Sequence, residues 1–191
     1  MYKKYCYIVI LLLSFASCNW KQHKSIVKNI EPEVCDSILI TYFCGNINTS
    51  KAILCRKLAA IQEEHPKNDY SAPNMELIDT FIVDKTIIEK AINLLLRNVK
   101  APDFSEDARM YVTIKTKYGN INTLCIDCYS RAKYNNEACK LNDELLFLLR
   151  YYSGYYSWFS ISNLKKLEMF GELQNTDYLL KAIEQINSNK K

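Results

Sequence analysis

The sequence predicts an α+β domain, with helices packed on a mixed or mostly antiparallel sheet of about four strands. Three observations carry that class. Short β-branched and aromatic runs are bounded by turn residues, segments with apolar residues at helical spacing alternate with them, and only helical patterns follow a turn-linked strand pair. With 191 residues, 49% of them hydrophobic, the chain has ordinary globular composition and enough length to bury its own core as one domain.

The elements follow in order. Residues 18–34 are polar and weakly periodic, with Pro32 late in the stretch, and read as a tether to a single domain over 35–191. Ser37 to Phe43 has the composition of a strand closed by Cys44-Gly45-Asn46. Thr49 or Ser50 caps a helix carrying Ile53, Leu54, Leu58 and Ile61, which Pro66 stops. Met75 to Val83 is a second strand. Asp84 or Thr86 then caps an apolar helix running to Val99, with Thr86-Ile87-Ile88-Glu89 fitting a capping box.

Arg109–Tyr118 and Asn122–Tyr129 form a hairpin around Gly119. A three-residue loop sets Ile114 opposite Ile126, Val112 opposite Cys128 and Thr116 opposite Leu124, which separates apolar from polar faces and turns Cys128 inward and Cys125 outward. Asn142 or Asp143 caps a helix through Tyr152 that Gly154 ends. Two more helices are expected, near Asn163–Phe170 and near Asp177–Ile186, the latter capped by Thr176.

The first residues carry an address. Lys3 and Lys4 precede an apolar run from Tyr5 to Leu13, followed by small residues and Cys18. The run is about half of the roughly 20 residues a bilayer-spanning helix needs, so residues 1–17 read as a secretory signal. Phe15-Ala16-Ser17-Cys18 resembles the processing box of a bacterial lipoprotein signal. Phe15 in place of the usual Leu resembles the relaxed boxes of Bacteroidota, and the chain resembles that group's small lipoproteins while no motif in its body identifies a family. The resemblance implies that Cys18 becomes the lipidated first residue, palmitate included, anchored by several acyl chains. The alternative is a plain signal cleaved near Ala16. Surface-exported lipoproteins of that group carry acidic residues after the cysteine, whereas this chain has Asn19-Trp20-Lys21, so the resemblance implies a cell-envelope protein facing the periplasm.

Composition removes several function classes. The four glycines, Gly45, Gly119, Gly154 and Gly171, are isolated, so no loop is built to cradle phosphate. The two histidines, His23 and His65, stand apart from any cluster of ligand spacing, and no metal or cofactor is expected. Losing residues 1–17 leaves a formal charge of +2, too mild for a nucleic-acid partner.

Beyond Cys6 and Cys18 there are six cysteines, an even set in an exported chain, which suggests disulfides. Two local bridges are expected, Cys44 to Cys55 and Cys128 to Cys139, each with ten intervening residues, while Cys35 and Cys125 are left either paired or free. Cys125-Ile126-Asp127-Cys128 has CxxC spacing, but on a strand residues three apart point to opposite faces, so a structural role is expected for both. Residues 151–159 hold six aromatics; the rings finish a small core or, where exposed, make Tyr155, Tyr156 and Trp158 a binding surface for a glycan or an envelope protein. Asp103, Glu106 and Asp107 are read as solvated loop carboxylates, with calcium binding a minor alternative.

Two functions compete: a membrane-anchored periplasmic lipoprotein with a binding or interaction role, and a small cell-envelope hydrolase of glycan or cell-wall material using acids such as Asp103 or Asp127. The anchor is directly testable. Wild-type protein should fractionate with membranes and Cys18→Ala should not; wild type found wholly in the soluble fraction would refute lipidation.

Overall fold

The computed structural model describes residues 30–44, 52–64, 76–101, 104, 107–119, 121–127, 130–167 and 171–188. The signal, Cys18, Cys128, both histidines, Asp103 and Glu106 lie outside the described residues. Of the stretch read as tether, residues 30–34 belong to the packed fold: Ile30 is buried and Pro32–Val34 form a 3-10 turn leading into the sheet.

The α+β class holds, and the sheet is larger than expected. Among the described residues seven strands, β1 (Cys35–Cys44), β2 (Glu76–Ile82), β3 (Val99–Lys100), β4 (Ala108–Thr116), β5 (Ile121–Asp127), β6 (Arg131–Tyr134) and β7 (Glu137–Lys140), lie in the order β2-β1-β4-β5-β6-β7-β3. Every neighbouring pair is antiparallel. The helices are α1 (Cys55–Glu64), α2 (Lys85–Leu95), α3 (Asp143–Tyr152), α4 (Ile161–Leu167) and α5 (Thr176–Ser188).

The additional strands are short. β6 and β7 turn at Asn135 and Asn136, both at positive φ (44° and 71°), as a two-residue hairpin of type I′ requires. α2 stops at Leu95 rather than near Val99, because Val99 and Lys100 pair with β7. Its cap is Asp84, whose carboxylate accepts from the Thr86 and Ile87 N–H groups at 2.9 and 3.2 Å. Asn142 caps α3 by accepting from Glu144 N at 2.8 Å, and Asn175 rather than Thr176 accepts from Asp177 N at 3.0 Å to open α5.

The β4–β5 register differs from the expected one. Val112 faces Leu124 and Ile114 faces Asn122, four residues from the expected partners, and Lys115 pairs with Ile121 so that the loop is wider. The shift is even, so the partition between faces is unchanged. Val112, Ile114, Leu124 and Ile126 share the first face, which α2 and α3 cover, with α5 packed outside α3 in the same core.

At the C-terminal side of that core, Arg150 is 2% exposed and bonds to Glu172, which is 1% exposed and also accepts from the Tyr156 hydroxyl at 3.0 Å. Burial pushes the Glu172 carboxyl up, and the adjacent guanidinium opposes it. The second carboxylate oxygen has no hydrogen-bond partner among the described residues. Such a pair is costly to break and cheap to replace. Arg150→Met should therefore lower the unfolding free energy in urea by about 3–5 kcal/mol, and the double variant Arg150→Met/Glu172→Met should recover most of it. Equal losses in the single and double variants would show that the pair's charges are not what is coupled.

Candidate ligand-binding cleft

The second face of the sheet is where sequence and structure part. Residues directly opposite in neighbouring strands point to the same face, so Asp79, Thr41, Tyr111, Cys125 and Lys133 form one row across β2, β1, β4, β5 and β6. α1 lies along that row. At its start Cys55 is bonded to Cys125, and seven residues later Gln62 Nε2 donates to Thr41 Oγ1 at 2.9 Å. Seven residues rise roughly 10 Å, which matches the two strand spacings from β5 to β1.

Polar groups hold the helix in place as well. Thr113 Oγ1 donates to Gln62 Oε1, and Thr41 Oγ1 donates to Asp79, so the hydroxyls beneath the helix are satisfied. Ahead of the helix, Asp107 accepts from Ile53 N at 3.0 Å, and Ala108 N donates to Ile53 O at 2.7 Å. A small apolar cluster of Ile53, Leu58, Ala108 and Cys125 fills the space between helix and sheet.

The disulfide corrects the expected Cys44–Cys55 bridge, and the free Cys139 corrects the expected Cys128–Cys139 one, whose other member lies outside the described residues. Cys55 pairs with Cys125 rather than Cys44, because α1 starts over β5, two strands away from β1, a spacing of roughly 10 Å. Cys139 is a free thiol on the first face, buried against the main core, and burial pushes it up to about 11. Cys35 is likewise free and buried there, so Cys35 and Cys125 lie on opposite faces. Cys125, expected outward, does occupy the face opposite Val112, yet it is 3% exposed because α1 covers it.

Of the three aromatics offered as a binding surface, Tyr155 and Tyr156 instead finish the core, as the other reading of the stretch expects. Tyr155 and Tyr156 are buried, with Tyr155 edge-on to Tyr42 at 5.4 Å and Tyr156 beside Phe147 at 5.8 Å. The short turn after Gly154, itself at φ 76°, folds both rings back onto the core. Trp158 is 43% exposed, and its indole N–H donates to the Tyr42 hydroxyl at 3.2 Å. Of the carboxylates considered for acid–base chemistry, the two among the described residues, Asp107 and Asp127, are already engaged. Asp107 pairs with Arg109 at 2.6 Å, and buried Asp127 accepts from the Ser130 and Arg131 N–H groups and from Arg131 Nε.

What the sequence did not reveal is a cleft at the start of α1. It has a volume of about 330 Å³ and is lined by Leu54, Cys55, Arg56, Lys133 and Asn136. A second lobe of about 150 Å³ extends it along the disulfide to Tyr111 and Thr123. The bond itself assembles the site: Arg56 follows Cys55 in α1, and Lys133 stands opposite Cys125 across β5–β6. Asn136 is placed by the β6–β7 turn, which Asn135 ties to β5 by accepting from Thr123 N at 2.8 Å.

Among the described residues neither Arg56 nor Lys133 has a carboxylate partner, and no carboxylate lines either lobe. Lys133 Nζ sits 5.0 Å from the centroid of the Phe104 ring. Burial raises the Tyr111 phenol, a hydrogen bond with Thr123 opposing, so this hydroxyl keeps its proton at neutral pH. Among the described residues no three His, Cys, Asp or Glu side chains converge as a metal site requires. Comparison with family models, curated proteins and solved structures found no match.

The bond closes a separation of 70 residues, and a loop of that size is worth about 4 kcal/mol in the chain-entropy model. Cys55→Ser/Cys125→Ser should therefore unfold at lower denaturant, with a loss of about 2–4 kcal/mol. Non-reducing peptide mapping should recover Cys55 joined to Cys125 and alkylated Cys35 and Cys139; Cys55 recovered with Cys44 would contradict the assignment.

Proposed function

We propose that the chain is a non-enzymatic binding protein held at the cell envelope by a lipid on Cys18, facing the periplasm, and that it acts through the cleft at the start of α1. The observation that carries this reading is the cleft's lining, which among the described residues combines two cations with neutral side chains and includes no carboxylate and no nucleophile–base pair. Asp127, one of the acids offered for a hydrolase, holds a loop together instead, as does Asp107 beside the α1 entry.

The anchor comes from the processing box, and a lipid is the attachment this reading needs: no helix among the described residues is long and apolar enough to cross a membrane. Several acyl chains at about 0.8 kcal/mol per buried CH₂ hold a small domain firmly. The purified protein should show no turnover on a panel of peptide, ester, glycan and phosphate substrates. Reproducible turnover abolished by Asp103→Asn or Asp127→Asn, in variants whose circular dichroism melts match wild type, would replace this reading with the hydrolase one.

A further inference from the structure

We infer that the cleft between the first turn of α1 and the β6–β7 hairpin binds a small organic dianion, with its negative charge set against Arg56 and Lys133. This assignment rests on the binding-protein reading and names its ligand class. Four features of the site lead to it.

First, two cations from different elements line one concave space, and among the described residues neither has a carboxylate partner and no carboxylate lines the space with them. Second, the backbone beneath both cations is fixed, because the Cys55–Cys125 bond and the Cys125–Lys133 pairing tie the start of α1 to β5 and β6. Third, the wall carrying Leu54, Cys55 and Arg56 is the N-terminal turn of a ten-residue helix, whose dipole adds positive potential where the guanidinium sits. Fourth, the remaining polar lining is neutral: the Asn136 amide, the Thr123 hydroxyl and a phenol at Tyr111 that stays protonated.

Charge and size together set the class. A cation would meet two like charges, and a neutral sugar would leave both cations without a partner. An anion with two negative charges and acceptor oxygens matches the guanidinium fork and the ammonium together. The main lobe's volume of about 330 Å³ stands at the lower end for small-molecule pockets, which points to a compact molecule rather than a polymer segment. A dicarboxylate and a phosphate monoester share this chemistry.

The test uses the full chain in detergent, titrated by calorimetry with succinate, inorganic phosphate, acetate and glucose at constant ionic strength. Succinate or phosphate should bind saturably at one site, acetate more weakly and glucose not at all; whichever dianion binds better identifies the source chemistry. Arg56→Gln/Lys133→Gln should weaken the dianion about a hundredfold, from the loss of two charge-assisted bonds. Lys115→Gln, an exposed cation on the same face, should leave binding unchanged, and matched circular dichroism melts confirm folding of each variant.

The assignment is overturned if neither dianion binds saturably, if acetate or glucose binds as well as they do, or if the double glutamine variant binds like wild type. Failure of this kind leaves the non-enzymatic reading intact, because that reading is decided by turnover and not by anion affinity.

Discussion

The bond between Cys55 and Cys125 is the constraint from which the functional half of the molecule follows. A sheet with one face on the main core still has a second face to settle, and here a single ten-residue helix covers the middle of it. So short a helix has little stability of its own in water and must take its order from tertiary contacts. The disulfide fixes its first residue over β5, the Asp107 carboxylate fixes the segment before it, and Gln62 fixes its far end over β1 and β4. With these three attachments the helix is fixed in both rotation and position on the sheet. The position of Arg56 beside Lys133 is a consequence of that register.

The same geometry explains why much of the fold was legible and the site was not. Face assignment in β4 and β5 depends only on parity, so a wrong loop length still sorted Val112, Ile114, Leu124 and Ile126 from Thr113 and Cys125. The helices announced themselves through apolar spacing, and Asp84 and Asn142 were both foreseen as caps. By contrast, β6 and β7 are four residues each, too short for alternation to stand out, and the Asn135-Asn136 turn was their one clear signal. Without β6 there is no Lys133 opposite Cys125. Arg56 on a helix surface looks like any solvated cation until that pairing is known.

The cysteines show a related limit. Local spacing favoured bridges across ten residues, because short loops close easily in an unfolded chain. In the folded chain partners are chosen by face: Cys35 and Cys139 belong to the first face and Cys55 and Cys125 to the second, so no amount of sequence proximity decides the pairing. The aromatic cluster obeys the same logic. Gly154 at positive φ reverses the chain after α3, which sends Tyr155 and Tyr156 inward and leaves Trp158 partly exposed with its indole anchored to Tyr42.

Polarity on the second face is not uniform, and the difference separates structure from function. Thr41, Thr113 and Asp79 lie under or beside α1 and have their hydrogen bonds met by Gln62 and by one another. At the other end of the helix the polar groups converge on open space. There Arg56 and Lys133 line one cleft of about 330 Å³, and among the described residues no carboxylate lines it with them. A monoanion placed against them would balance only one of the two charges. Charge balance, more than shape, is therefore what makes a dianion the fitting occupant of this site.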